Sequence, residues 1–368
     1  MQILMAWLTL GAQLARSLPD AGWRPVWWRL PLFTLAWLGF GLLALSHGLG
    51  FLIDDLLFRG YRQVAVRAPV FIVGVPRSGT THLQRMLAED PAFTSLTLWE
   101  CLLAPSISER YVWSFMGRLV RPFRRLGRRW RWAAMDRVHT LGWREPEEDF
   151  LLLLWRGACF LPALICPKAQ GYWRLAFFDQ SVAEGERRAL TAYYHACLQR
   201  HLYFHGRHRR VLSKNPSFTP WVDSLRERFP GARFIACVRR PEEAVPSQLS
   251  ALRPALKLLG HRQVDPQLSE RMLSILHNYY RRVRGWRADD DVLCLPLPYL
   301  AKMQAPDWQR LYAFAEQPLP PADALMTVSG ARRDARPGHR YSLEEYGLSR
   351  ARVRYLFADV WPDAGACS

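Results

Sequence analysis

An anion cradle can be read in the segment Val70-Phe-Ile-Val-Gly-Val-Pro-Arg-Ser-Gly-Thr-Thr-His-Leu83, where an apolar run meets a glycine-bounded turn and then a helical pattern. Between Gly74 and Gly79 the backbone can point successive N–H groups at one place, and the positive end of the following helix aims there too. Arg77, Ser78, Thr80 and Thr81 add charge and hydroxyl donors. The spacing of the two glycines matches a Walker A loop, but Thr80 stands where that loop has its lysine, so the cradle is not built for ATP hydrolysis. Two more segments carry chemistry. In Leu212-Ser-Lys-Asn-Pro-Ser217, Lys214 is one of only four lysines and emerges from an apolar run just before a proline. In Phe234-Ile-Ala-Cys-Val-Arg-Arg-Pro-Glu-Glu-Ala-Val-Pro-Ser247, Arg239 ends a run, Pro241 opens a helix and Ser247 lies two turns along it. An arginine and a hydroxyl so placed can grip a second phosphate, some way from the first.

The elements that must position these residues alternate between short β-rich runs and longer helical stretches, the pattern of a parallel sheet covered by helices. Strands are predicted at Val70–Val75, Arg210–Ser213 and Arg233–Val238, with weaker candidates at Phe93–Leu98 and Val292–Leu295. Helices are predicted at about 79–89, 145–158, 185–204, 217–228, 241–252, 267–285 and 342–359. Segments 317–321 and 329–338 read as exposed loops. Ligands of such sheets sit at the carboxyl ends of the strands, where all three loaded segments fall. The fold class expected is α/β: a P-loop-type three-layer fold with a central parallel sheet flanked by helices, plus an apolar helical N-terminal segment.

Together the three segments resemble, in order and spacing, those of the sulfotransferases that use 3′-phosphoadenosine 5′-phosphosulfate. The Pro-Arg-Ser-Gly-Thr-Thr form is similar to the bacterial branch and to the tyrosylprotein sulfotransferases, as are Glu145-Pro-Glu-Glu-Asp149 and Tyr341-Ser-Leu-Glu-Glu-Tyr-Gly347 for the bacterial branch. The likeness covers about residues 60–360. It implies that Arg77, Ser78, Gly79, Thr80 and Thr81 bind the 5′-phosphosulfate, that Arg239 and Ser247 bind the 3′-phosphate, and that Lys214 assists Arg77 at the sulfuryl group. No metal is implied. Sulfuryl transfer asks for positioning and charge stabilisation, and the acceptor hydroxyl needs a base within hydrogen-bond reach. Glu100 is the first candidate, since it follows the predicted strand Phe93–Leu98 and could point into the cleft, as the base does at a similar place in tyrosylprotein sulfotransferases. His139, Glu145, Glu147 and Glu148 are alternatives.

Residues outside the motifs bound the setting. Forty-six arginines and four lysines against 32 acids give a net charge of +18, which favours anionic partners, although no nucleic-acid motif is present. Seven scattered cysteines without a C-x-x-C pair fit a reducing compartment and argue against zinc or a disulfide framework. Leu30 to Ile53 run for 24 residues without a formal charge, long enough to span a bilayer, with Trp23, Trp27 and Trp28 just before. Buried helices of the enzyme are the competing reading, because Pro31, Ser46, His47 and several glycines interrupt the run. Seven arginines between Arg118 and Arg131 alternate with apolar residues, which suits an amphipathic surface helix, a solvated face or a lid. The division expected is a membrane-associated segment, 1–58, and a sulfotransferase domain, 59–368. The two asparagines, Asn215 and Asn278, form no glycosylation sequon, which leans toward a cytoplasmic catalytic domain. The function expected is sulfuryl transfer to a hydroxyl of a lipid, a glycan or another amphiphile. A nucleotide kinase-like enzyme and a non-catalytic membrane-bound nucleotide sensor are the alternatives.

Overall fold

The computed structural model describes residues 2–17, 30–126, 145–165, 170–258, 266–300, 302–321 and 343–361. Five parallel strands form one sheet in the order β2-β3-β1-β4-β5: β1 Val70–Gly74, β2 Phe93–Thr94, β3 Arg210–Lys214, β4 Arg233–Val238 and β5 Val292–Pro296. Each pair is parallel because a helical crossover separates the strands. The helices that matter here are α1 Gln2–Ser17, α2 Leu30–Leu57, α3 Thr80–Ala88, α4 Leu98–Leu103, α5 Ile107–Leu126, α6 Glu184–His205, α7 Val222–Arg228, α8 Pro241–Leu258, α9 Pro266–Gly285, α10 Ala305–Phe314 and α11 Arg350–Phe357.

Alternation along the strands divides the core in two. Phe71 and Val73 of β1, with Phe234, Ala236 and Val238 of β4, face a large cluster that includes Phe150, Phe218, Met272 and Tyr279. Val70 and Ile72, with Ile235 and Cys237, face a smaller one built from Leu83, Met86 and Leu87 of α3 and Trp308 and Leu311 of α10. Phe71 stacks on Phe234 across the ladder at 5.4 Å between centroids. Each such fully buried ring contributes on the order of 2 to 3 kcal/mol.

Several predicted elements are corrected. The strand expected over 93–98 is only Phe93–Thr94, and a helix starts at Leu98. Thr97 caps that helix, with Glu100 at its third position bonding back to the cap. The helix expected over 145–158 is a 3-10 helix over Asp149–Arg156. Residues before a proline avoid the helical region, which disfavours a helix start at Glu145, and Pro146 pairs with Thr97 in an isolated antiparallel bridge. The last helix is broken: Glu344–Tyr346 make one 3-10 turn, Gly347 ends it at φ 70°, and Ser349 caps α11. The stretch 217–228 is likewise split into a 3-10 helix, Pro216–Trp221, and α7. His139, loop 329–338 and the end of the arginine-rich stretch, from residue 127, lie outside the described residues.

The N-terminal helices lie against the sheet domain. Trp7 and Trp37 stack at 4.4 Å, each indole donating to the other's backbone carbonyl. On the inner side of α2, Phe40 stacks on Trp155 and His47 Nδ1 lies 2.6 Å from Glu109 Oε1. Asp54 accepts from the first backbone N–H groups of α5, at Ile107 and Ser108, and from Arg200 at 3.0 Å.

Candidate active site

The cradle predicted at Gly74–Thr81 forms where β1 ends, and β1 lies between β3 and β4. The carboxyl ends of both neighbours therefore flank it, and Lys214 and Arg239 arrive on either side. Gly74 has φ 105°, and a Cβ there would lie 2.2 Å from the Cys237 carbonyl oxygen. Thr219 clamps the same residue, accepting from Gly74 N at 2.8 Å and donating to Gly74 O at 2.7 Å. Arg77 takes up φ 66°, a left-handed conformation costly for a non-glycine residue, and its side chain is exposed. Gly79, at φ 88°, precedes α3.

The structure distributes the predicted donors differently from the sequence reading. The Ser78 hydroxyl is fully buried, 2.5 Å from Val75 O and 2.9 Å from Cys237 O, so it braces the turn and leaves only its backbone N–H for an anion. Thr80 is buried at the helix start, whereas the Thr81 side chain is exposed. Arg77 Nε donates to Ser247 Oγ at 3.2 Å, and Arg239 Nη1 donates to Arg77 O at 3.4 Å. The second phosphate grip is thus joined directly to the first loop. Arg239 is also held by Glu243 Oε2 at 2.8 Å, and its own carbonyl accepts from Tyr280 OH at 2.6 Å.

Lys214, 2 % exposed, donates to Glu148 Oε1 at 3.0 Å and lies 3.7 Å from Glu147 Oε1. Next to this pair, the buried Asp149 carboxylate accepts from Tyr194 OH at 2.7 Å, from Ser213 Oγ at 2.9 Å and from Asn215 Nδ2. Burial pushes the Asp149 pKa up, against these hydrogen bonds. The bonds fasten Glu145–Asp149 to Leu212–Ser217, two segments that the sequence marked separately. Glu148 also belongs to the wall of a cavity of about 210 Å³. Pro76, Ser217 and Gln248 adjoin it, and Phe150, Leu151, Phe160, Trp173, Met272 and Tyr279 supply much of the apolar remainder.

Glu100 is elsewhere. It is 1 % exposed, does not line that cavity, and is engaged by Thr97 N at 2.9 Å, Thr97 Oγ1 at 2.6 Å and His205 Nε2 at 2.6 Å. The expectation that it projects from a strand end into the cleft is therefore corrected, because it sits on the first turn of a helix and points inward. Burial alone would raise its pKa, but Arg110, His201 and His205 hold the carboxyl well below the usual range. Glu100, His201 and His205 offer ligand atoms within 4.8 Å of one another. The buried Arg110 guanidinium, 3.6 Å from the same carboxylate, already balances its charge.

His201 gives this cluster a measurable signature. Burial lowers its pKa from 6.5 to about 4. Between those values the unfolded chain takes up a proton that the folded chain refuses, so stability falls as pH drops through that window, by roughly 3 kcal/mol in all. Glu100, a depressed carboxylate, adds a further loss below its ordinary range. Denaturant titrations at pH 7, 5.5 and 4.5 are expected to show this decline and a flatter one in His201→Gln. Equal slopes in the two proteins would remove His201 as its cause.

Sequence reasoning missed Thr219, Tyr280 and the surroundings of Glu100. The Thr97-x-x-Glu100 spacing was the signal available for the last. Nothing local distinguishes Thr219 or Tyr280, whose partners Gly74 and Arg239 lie 145 and 41 residues away in the chain.

Comparison with known proteins completes the description. The model of the sulfotransferase family matches residues 69–321. Over 223 residues the chain is 28% identical to the omega-hydroxy-beta-dihydromenaquinone-9 sulfotransferase Stf3 of Mycobacterium bovis, and equally to that of Mycobacterium tuberculosis. The match covers 58% of this chain and 53% of each relative, so the chain spans about half the length of the curated relatives it matches. Among solved structures, sulfotransferase STF9 of Mycobacterium avium superposes with TM-score 0.71 at 19% identity, over 99% of this chain and 96% of that one. Sulfotransferase STF1 of Mycobacterium tuberculosis superposes with TM-score 0.70 at 19% identity, over 96% and 92%. These two likenesses bear on the fold alone.

Proposed function

Because the chain belongs to the sulfotransferase family, we propose that it moves a sulfuryl group from 3′-phosphoadenosine 5′-phosphosulfate to the hydroxyl of a lipid-like acceptor. The observation that carries this reading is the cavity, apolar along most of its wall and bounded by Pro76 of the cradle and by Glu148 beside Lys214. A glycan would need hydrogen-bond partners along its whole length, whereas a hydroxylated apolar chain needs them only at its reacting end. The curated relatives are named for a hydroxylated menaquinone, which agrees with an acceptor of that chemistry.

The residues fit the donor. Arg77 reaches from the cradle to Ser247, and Arg239 reaches back to Arg77 O, so the groups for two anionic ends of one nucleotide are contiguous. Gly79, Thr80, Thr81, the Ser78 N–H and the start of α3 would hold the 5′-phosphate, and Arg239 and Ser247 the 3′-phosphate. Bound there, the donor supplies an activated sulfuryl group with an anionic leaving phosphate. Lys214 and Arg77 meet the charge on the sulfuryl oxygens. Glu148, half-exposed on the cavity wall, takes the proton of the acceptor hydroxyl. Glu100, already committed to its capping box and its histidines, holds α4 in place. Cys101, Cys159, Cys197 and Cys237 are free thiols, which suits a reducing compartment and the cytoplasmic side of a membrane.

The test is transfer of labelled sulfate from the donor to a hydroxylated prenyl quinone in detergent. The wild type is expected to give a sulfated lipid, and Glu148→Gln to lose about a hundredfold or more in kcat while still binding adenosine 3′,5′-bisphosphate. Failure of the wild type to bind that bisphosphate would sink the donor assignment. Unchanged kcat in Glu148→Gln would sink the base.

A further inference from the structure

Helix α2 has a second side that the catalytic domain does not cover. From Leu35 to Leu56 leucine recurs at alternating steps of three and four, and every one of those side chains is more than half exposed. The stripe is about 30 Å long at 1.5 Å per residue. Such a position on a helix packed against a domain is ordinarily polar. Met5 and Leu8 of α1 extend the apolar surface on one side. On the other, the Tyr111 ring stacks on Phe58 at 5.7 Å and leads to exposed Val112, Trp113, Phe115 and Met116 of α5.

Charge borders this face and is mostly positive. Arg59 and Arg207 are exposed near the end of α2 and Arg118 further along α5, while exposed Arg62 is paired with Asp55 at 3.1 Å. A groove along Leu45, Leu49 and Leu52 has Arg156 in its wall, resting on the Tyr193 ring and without an acidic partner among the described residues. The chain as a whole carries +18.

We infer that α1, α2 and α5 form an in-plane docking face for a bilayer surface rich in anionic lipid, with the leucine stripe sunk among the acyl chains and the arginines at the headgroups. A bilayer fits better than a second copy. A two-helix seam needs a narrow stripe flanked by pairing charges, but this surface spans three helices and α2 carries no charge before Asp54. Interfacial Trp and Tyr beside arginines suit the boundary of a membrane. Crossing the bilayer is opposed by the inner side of α2: His47 and Asp54 are fully buried against Glu109, Arg200 and the start of α5. A helix pulled free to span would leave those groups unpaired. The 3-10 helix Asp149–Arg156 joins this face to the acceptor cavity, since Arg156 lines the groove at one end and Phe150 lines the cavity at the other.

The purpose of the face rests on the lipid-acceptor reading, but its existence is tested without donor or transfer, so the two can fail separately. The full chain is sedimented with vesicles of phosphatidylcholine alone or with one third phosphatidylglycerol. Partition is expected to be tighter on the anionic vesicles, by about tenfold, and Arg156→Gln to lessen that preference. Leu42→Glu with Leu49→Glu is expected to lower partition on the order of a hundredfold, with thermal unfolding confirming an intact fold. Should that pair not fold, Leu42→Asn alone, at a side chain 70 % exposed, is expected to lower it about tenfold. An impermeant thiol reagent added outside preformed vesicles should label Pro31→Cys and Arg59→Cys alike. Partition unchanged by the glutamates, a dimer that they convert to monomer without loss of vesicle binding, or protection of one cysteine by the bilayer would each overturn the inference.

Discussion

Lys214→Ala is expected to lower kcat for sulfuryl transfer by about a hundred- to a thousandfold, the loss typical of removing one preorganised stabilising group from a site. The lysine ends β3 almost fully buried, with Glu148 Oε1 3.0 Å away. A cation in that position is desolvated before reaction begins, so it can meet charge on the sulfuryl oxygens without first shedding water. Donor affinity should change less, because Arg239, Ser247 and the cradle backbone remain. Stability should fall modestly, because the buried methylenes of the lysine stem leave a gap although Glu148 keeps access to water. Lys214→Arg keeps the charge but replaces a compact ammonium by a planar fork, and more than a tenth of the activity should not return. Single-turnover transfer from labelled donor, with bisphosphate binding as the control, measures both effects. A kcat within fivefold of wild type in Lys214→Ala would place the stabilising charge elsewhere.

Gly74→Ala is expected to be the most damaging small substitution in the cradle. Its Cβ would fall 2.2 Å from Cys237 O and 2.6 Å from Cys237 N. Both are main-chain atoms of β4, which pairs with β1 over Val70–Gly74, so no side chain can swing away to relieve the clash. The φ of 105° adds strain for any residue with a Cβ. Strand separation in mid-sheet, together with this strain, should cost roughly 4 kcal/mol or more. For a chain of 368 residues that lowers the unfolding temperature by about 5 °C. Gly117→Ala in α5, where a Cβ would meet nothing within 4 Å, is the matched control. It should be neutral or stabilising by up to about 1 kcal/mol. Thermal unfolding of the two variants side by side gives the answer, and equal midpoints would refute the backbone argument.

The sequence showed the donor side of this site better than the acceptor side, for physical reasons. Gly74, Gly79, Pro216 and Pro241 punctuate the chain at strand ends, and one of only four lysines in an arginine-rich protein stands out, so Lys214, Arg239 and the cradle were legible. The inward turn of Ser78 was not, because its partner Cys237 O belongs to a strand more than 150 residues away. Glu100 was misplaced because Phe93–Leu98 has strand-like composition, and the capping pair Thr97 and Glu100 outweighed it. Pro146 similarly shortened a segment whose apolar pattern suggested a full helix. The cavity wall draws on residues near 76, 150, 160, 173, 248 and 275, and no local periodicity unites positions so far apart. The outer stripe of α2 was readable as leucine spacing, but only the packing of Asp54 and His47 shows which side faces the domain.

The sheet that divides the core also divides what can change independently. The apolar cavity wall belongs to the cluster under Phe71 and Phe234 or packs against it, whereas α3, which starts at the cradle, rests on the opposite cluster through Leu83, Met86 and Leu87. Substitutions that widen or narrow the cavity repack one side of a five-stranded partition and leave the footing of α3 on the other. A library confined to Phe160, Met272 and Ile275 is accordingly the place to seek new acceptor preferences while the footing of the 5′-phosphate cradle on α3 stays unchanged.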